Sequence, residues 1–491
     1  MGRQHHRESP IVVSPSRSQS IFFNSTALIA ATLLTRAFSV PVAALLVRRL
    51  EPAVVGEYFY LTGLVALFAP LVTLGAPLYL AREVVQQPER APLLLKTAYL
   101  LQAAVGVGTI ALFVAADPAG LLGLCALGMV AQATAGIFQY AIIGLGRGYL
   151  ASALQAVGSL IGSVSLLAVL LWSPSLTAVI WQFALAGLAQ HALGYFALRR
   201  FCPELRFDRR RPTTTDYRSV LWAALPNGLL LVLATLYFRI DTALLAVWGN
   251  LLEVARYGAA FKFIELVVSL VGVVSWVFFA EFSNMYARGD TQMVRVARRG
   301  LRYMLLACLP LAAVIAFFAR DILYLFYGNE YLASTPTLQI LAWTTVFLFG
   351  RELLGSLLQA HNRVRVQVVV YGASLAINVA LNWYWIPRSG GLGAAAATLL
   401  SEVFNCLAFG WFCYRRFGLQ PLERSLLPIA QAFAAMLFVF WLLEALPAPL
   451  SAISGLAVFI GVFFSLGGLN DEDLGLWRQV LTRLGRKRMV P

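Results

Sequence analysis

Apolar runs of about twenty residues, each closed by Arg, Pro, Gly or Asp, recur along the whole chain. A helix needs roughly 20 such residues to cross a hydrocarbon core about 30 Å thick. Marked by their polar boundaries, the runs predict about fourteen helices. Their limits are 24–47, 54–80, 91–115, 119–145, 149–172, 175–198, 219–240, 255–281, 299–319, 335–360, 366–386, 391–414, 425–446 and 450–469. One stretch shows how the pattern works: Asn378–Glu402 is nearly all apolar and is broken in its middle at Ile386-Pro387-Arg388-Ser389-Gly390-Gly391. Those residues stop one helix and start the next, which predicts a tight turn. Trp383, Tyr384 and Trp385 precede it, as amphipathic rings do at a membrane interface. Gly393, Ala397 and Ser401 follow it at every fourth position, a small face against which a neighbouring backbone packs closely.

Composition settles the solvent. Of 491 residues 60% are hydrophobic and 12% charged, against about 25% charged in an ordinary soluble domain. Mean hydropathy is +0.75. A soluble fold could not hide so much apolar surface, so the fold class is all-α integral membrane. The net charge of +15 would suggest nucleic acid in a soluble protein, but here basic residues at helix ends explain it, and no nucleic-acid partner is expected. With both termini on the cytoplasmic side, 29 of the 38 Lys and Arg fall on that side, 6 fall opposite, and Arg36, Lys262 and Arg351 lie within spans. A missed helix would invert every later loop, so the asymmetry supports the count.

The division into segments follows. Residues 1–23 form a polar N-terminal tail and 24–198 the first six helices. Residues 199–218 form a basic linker and 219–414 the next six helices. Residues 425–469 form two more helices and 470–491 a basic tail. Met1-Gly2 begins like a myristoylation signal, but His6 breaks it. The five Cys match no metal or disulfide spacing, and no metal site is expected. No loop is long enough for a soluble catalytic domain, so an enzyme is not expected. The halves carry a faint repeat: an offset of 199 places Tyr58 on Tyr257 and Ala81 on Ala280. Two comparable bundles are what transporters rock around a midplane site.

Ionisable groups inside spans cost about 2.5–3.5 kcal/mol each on insertion scales, so each needs a reason. Arg36 sits mid-helix with no acidic neighbour at helical spacing. Lys262 and Glu265 lie three apart on one helix face, Asp241 lies near Arg239, and Arg351 precedes Glu352. The plain alternative is that these are local pairs. Glu402 lies in the twelfth helix; His191 and Glu444 are read as satisfied or interfacial groups, and Asn378 and Asn382 as partners in interhelical hydrogen bonds. A lining built from Arg36, Lys262 and Arg351 would suit a diphosphate, because guanidinium forks match phosphate oxygens.

Three segments carry a family resemblance: LLVRRLEPAVVGEYFY, RIDTALLAVWGNLLEVARYGAAFKFIE and INVALNWYWIPRSGGLGAAAATLLSE. In consistent order from about Asn24 to Arg416, the chain resembles the polysaccharide transporter family. That family includes the O-antigen and exopolysaccharide repeat-unit flippases of the multidrug/oligosaccharidyl-lipid/polysaccharide exporter superfamily. The resemblance implies two pseudo-symmetric six-helix lobes around a central cavity, plus two C-terminal helices. It implies a bacterial inner-membrane protein, a monomer working beside polymerase and chain-length proteins. The substrate implied is an undecaprenyl-diphosphate-linked oligosaccharide, moved between leaflets by alternating access. It places Arg36, Arg48, Arg49, Glu57, Asp241 and Lys262 near the cavity, with Arg239 and Arg351 added to the cationic set. Glu57, Asp241 and Glu265 are then candidates for H⁺ or Na⁺ coupling. Glu51 stands where that family often has Gly. A peptidoglycan-precursor flippase stays open as an alternative, as do a cation-coupled drug exporter and a membrane polysaccharide polymerase.

Overall fold

The structure is a computed structural model and describes residues 35, 38–117, 120–290, 292–361, 363–420 and 426–468. Every regular element among them is helical. In chain order these are α1 (residues 38–49), α2 (Pro52–Ala66), α3 (Ala69–Thr73), α4 (Ala76–Gln86), α5 (Ala91–Ala116), α6 (Leu121–Gly144), α7 (Gly148–Trp172), α8 (Leu176–Phe201), α9 (Thr214–Trp248), α10 (Leu251–Ala287), α11 (Met293–Phe317), α12 (Ala319–Tyr327), α13 (Thr335–Ala360), α14 (Val364–Phe417), α15 (Leu427–Leu442) and α16 (Ala448–Ser465). Short 3₁₀ turns occupy Pro203–Leu205 and Asn329–Ser334. Among the described residues, ten stretches are long and apolar enough to cross a membrane. With α14 counted as two arms, and α10 and α15 added, the described residues hold thirteen of the predicted runs; of the first, 24–47, most lies outside the described residues and the rest is helical as α1, so about fourteen helices fits. The chain is a multi-pass integral membrane protein. It divides into two compact units, Met1–Arg239 and Ile240–Pro491.

In the first unit α6 is the axis, packed by α4, α5 and α8. Its contact with α8 is a meeting of backbones: a Cβ on Gly187 would lie 2.5 Å from the Gly128 carbonyl oxygen. Small residues permit that approach, which supplies dispersion energy where lipid removes any hydrophobic drive between helices. The outward positions are apolar too, among them Val107, Leu112, Trp172 and Trp181, because their solvent is hydrocarbon.

The second predicted run, 54–80, is broken in the structure. Leu74 (φ 53°) and Gly75 (φ 70°) are left-handed and separate α3 from α4, with Pro70 and Pro77 on either side. A Cβ on Gly75 would lie 2.3 Å from the Gly228 nitrogen and 2.6 Å from the Ala224 oxygen, so α9 crosses this bend with no side chain between the backbones.

The linker after α8 is tied to the same unit. Lys96 donates to the Asp208 and Arg210 carbonyl oxygens, each at 2.8 Å. Arg147 pairs with Glu204 at 2.8 Å. Cys202 and Leu205 are buried in the core cluster around Leu80, Leu95 and Phe138. Burial holds the Cys202 thiol above its usual pKa.

In the second unit α13 is central, packed by α10, α11 and α14. The α15–α16 hairpin closes on α11 through Ala313, Phe318, Met436, Phe440 and Phe459. α14 is a hairpin, not a rod. Thr398 and Asn382 meet the same carboxylate, and the Ser374 hydroxyl donates to the Ser401 carbonyl at 3.4 Å, so its two arms run antiparallel. The predicted turn shrinks to one residue. Helix continues through Pro387 to Ser389, and Gly390 alone reverses the chain at φ 51°, ψ −131°. Glu253 Oε2 accepts from the Gly391 amide at 3.0 Å and would lie 2.5 Å from a Cβ on Gly390. Glycine is required there both for its φ and for the space.

Candidate functional site

Asp241 is 2% exposed and lies where the end of α9, the start of α10 and both arms of α14 converge. Its Oδ2 accepts from the Tyr257 hydroxyl at 2.9 Å and the Thr398 hydroxyl at 2.5 Å. Its Oδ1 accepts from the Asn382 amide at 2.6 Å, and Asn382 also donates to Asn378 Oδ1 at 2.9 Å. Helical geometry explains the convergence. Asn378 and Asn382 share a face at i, i+4, and Thr398 stands on the small face of the returning arm with its hydroxyl on the Ala394 carbonyl. Asn378 and Asn382 are each fully buried, and Asn382 Oδ1 accepts from no described residue. Among the described residues the carboxylate is held by neutral donors, so it keeps its whole charge in a low-dielectric site, a costly arrangement unless a proton or cation shares it. Asp241, Asn378, Asn382 and Thr398 together present carboxylate, amide and hydroxyl oxygens. Hard monovalent cations bind such oxygens, and a single carboxylate is neutralised by a single positive charge.

A second buried charged group lies in the same unit. Arg351 is 1% exposed; its Nε is 3.1 Å from Glu402 Oε2, and Glu402 is itself 2% exposed. Arg351 also donates to the Tyr371 hydroxyl at 2.6 Å and pairs with the adjacent Glu352 at 2.9 Å.

The remaining predicted residues are placed as follows. Arg36 lies outside the described residues. Arg48 and Arg49 are exposed at the end of α1, and Glu57 is half-buried in α2. Lys262 and Glu265 form a half-exposed pair at 2.8 Å. Arg239 is half-buried, and the groups that hold Asp241 are neutral ones. Thus Asp241 is brought together with Asn378 and Asn382, Lys262 with Glu265, and Arg351 with Glu402, within one unit. His191 is a satisfied group: Thr134 lies 2.9 Å from Nδ1 and Tyr99 lies 3.3 Å from Nε2. Sequence reasoning missed Tyr257 and Thr398 as partners of Asp241. The four-residue spacing of the two Asn and the small-residue face carrying Thr398 were the available signals.

The model of the family described as polysaccharide biosynthesis protein matches residues 21–285. The chain belongs to that family. A MatE model matches residues 226–384. Among curated relatives, the member is 22% identical over 231 residues to a probable low-salt glycan biosynthesis flippase, Agl15, of Haloferax volcanii, covering 47% of this chain and 48% of that one. It is 24% identical over 316 residues to a probable lipid II flippase, MurJ, of Rhizobium meliloti, covering 59% and 58%. The family member thus spans about half the length of these relatives. Its fold matches an outward-facing multidrug resistance MATE family transporter of the MOP superfamily at TM-score 0.61 and 14% identity, over 82% of this chain and 97% of that one. It also matches the inward closed lipid II flippase MurJ at TM-score 0.57 and 14% identity, over 92% and 100%. The fold of this family member is therefore shared with those two MATE and MurJ structures.

Proposed function

We propose that the protein is a flippase that moves an undecaprenyl-diphosphate-linked oligosaccharide repeat unit from the cytoplasmic to the periplasmic leaflet for surface polysaccharide synthesis, with cation binding at Asp241 driving the cycle. Family membership supports the substrate class. The observation that carries the mechanism is the buried carboxylate whose partners among the described residues, Tyr257, Thr398 and Asn382 with Asn378 beside them, are all neutral.

The cycle follows from charge. With Asp241 ionised and unoccupied, the junction of α9, α10 and α14 holds a buried negative charge. H⁺ or Na⁺ neutralises it and draws the two arms of α14 and α10 onto one guest. The guest's differential affinity for two conformations is what biases their populations. Arg36, Lys262 and the other cationic positions take up the diphosphate in this proposal, while the prenyl chain stays in lipid. Both termini then lie in the cytoplasm and the chain works in the bacterial inner membrane as a monomer beside polymerising and chain-length proteins.

Translocation of a fluorescent undecaprenyl-diphosphate oligosaccharide in proteoliposomes tests this. The wild type moves it under an imposed H⁺ or Na⁺ gradient, and Asp241→Asn loses the gradient response by at least about tenfold. Gradient-independent transport by both proteins would refute cation coupling. A second reading, translocation of a peptidoglycan precursor, draws support from the 92% coverage by the MurJ fold. Rescue of a MurJ-depleted strain would select it, and rescue of a strain lacking surface polysaccharide would select the first.

A further inference from the structure

At the ends of α11 and α13 remote from the Arg-rich segment 295–302, the second unit holds a cavity of about 690 Å³. That is within the roughly 300–1,000 Å³ usual for small-molecule sites. Its walls come from α11, α12, α13, α15, α16 and the turn between the last two. Arg320 and Asp321 lie in the first turn of α12, Gln339 and Trp343 share one face of α13, and Glu444 lies between α15 and α16. The Phe317 ring, at the end of α11, lines it as well. Trp343 is fixed from behind by Phe433, edge to face at 6.3 Å. Among the described residues, Arg320, Asp321, Gln339 and Glu444 make no ion pair or side-chain hydrogen bond with one another or with a neighbour.

We propose that this cavity is a binding site for a neutral oligosaccharide. Four features point to that chemistry. A pyranose has an apolar face of C–H groups, and an indole ring is the side chain best suited to cover it. Its edges carry vicinal hydroxyls, each both donor and acceptor. Planar carboxylate, amide and guanidinium groups meet such pairs two at a time. The cavity supplies an indole ring, with the Phe317 ring beside it, and four planar polar groups of mixed donor and acceptor type, from α12, α13 and the turn between α15 and α16. Two carboxylates against one guanidinium leave it net negative, so it disfavours uronic acids and favours hexoses and N-acetylhexosamines. The cavity lies at the helix ends opposite the basic loops, where the flippase reading delivers the glycan. The inference rests on that reading for its purpose: the site holds the sugar as it emerges, so that the head does not slip back.

Saturation-transfer NMR on the full chain in nanodiscs tests the site directly, with maltotriose, triacetylchitotriose and trigalacturonate as probes. Transfer to one or both neutral trisaccharides and little to trigalacturonate is expected. Trp343→Ala weakens the neutral probe by about tenfold or more, the scale of one lost stacking contact. Because Trp343→Ala could disturb folding, Asp321→Ala/Glu444→Ala, which changes only exposed positions, provides a second arm and weakens it several-fold. No transfer from either neutral probe overturns the proposal, as does equal transfer in wild type and both variants. Loss of copurifying phospholipid in the variants, read by mass spectrometry, would assign the cavity to a lipid headgroup instead. Glycan-lipid translocation is measured on the same preparations. Sugar binding without translocation refutes the flippase reading alone; translocation without sugar binding refutes this site alone.

Discussion

Asn382 Nδ2 stands 2.6 Å from Asp241 Oδ1, joining positions 141 residues apart. The contact makes one buried carboxylate the meeting point of α9 and the first arm of α14, and Thr398 adds the second arm. Removing the amide leaves the carboxylate short of a donor, which costs about 1–3 kcal/mol when the group stays buried. Asn382→Leu is therefore expected to lower the thermal midpoint of the purified protein. It should also weaken the cation-dependent stabilisation that the wild type shows, because the same side chain serves both. Unchanged thermal shifts with Na⁺ and with pH would separate the amide from the ion.

Arg351 and Glu402 behave differently from an exposed pair. Both are almost wholly buried, so removing one leaves the other's buried charge short of its main counter-charge, at up to about 3–5 kcal/mol, with Glu352 offsetting part of the loss on the Arg351 side. Arg351→Met and Glu402→Leu are each expected to reduce folded yield sharply, while the double substitution recovers most of it. A double-mutant cycle on detergent-solubilised protein measures the coupling. Lys262→Ala provides the contrast. Its pair is about one-third exposed on the Lys side, and exposed pairs contribute about 0–1 kcal/mol.

Gly390→Ala meets two obstacles. Its backbone at φ 51°, ψ −131° is one that Ala avoids, and the new methyl would fall on Glu253 Oε2. A loss of about 1–3 kcal/mol is expected from the strained backbone alone. Glu253→Ala removes the clash but not the strain, so the pair of substitutions should remain destabilised. Full recovery in the double variant would show that the clash was the whole effect.

Lys96 holds the linker by two carbonyls. Lys96→Ala is expected to speed cleavage by trypsin within 199–218, where six of the seven Arg offer sites and Arg211, followed by Pro212, does not, while cleavage between 288 and 302 is unchanged. Gel mapping of early fragments checks this.

Cys202 is wholly buried although it lies in the most basic loop. Desolvation raises its thiol pKa, and the Arg147 hydrogen bond only partly opposes this. The thiolate fraction at pH 7 is then below that of an ordinary cysteine, and it grows as pH rises toward the elevated pKa. Maleimide labelling in the native protein should be slow at pH 7, faster at pH 9, and fast at both once the protein is unfolded.

Hydropathy alone made the helix count legible, because each crossing must satisfy its own backbone and so writes its length into the sequence. Charge asymmetry added the alternation of loops. Pairing was less visible. Arg351 and Glu402 are separated by the whole first arm of α14, and only that hairpin brings them together. Tyr257 and Thr398 carry no charge, so nothing marked them as costly in lipid until Asp241 was seen between them. Arg239, close to Asp241 in sequence, gave a false lead because two residues along a helix turn a side chain by about 200°. The bend at Leu74–Gly75 was hidden by the continuous greasiness of the run that contains it.

Gly75 and Gly228 touch main chain to main chain. A geneticist scanning every position would score both as indispensable, although neither holds a guest, moves a proton or bears a charge. Their intolerance would report the thickness of two peptide planes laid across one another, and loss of activity there should not be mistaken for loss of chemistry.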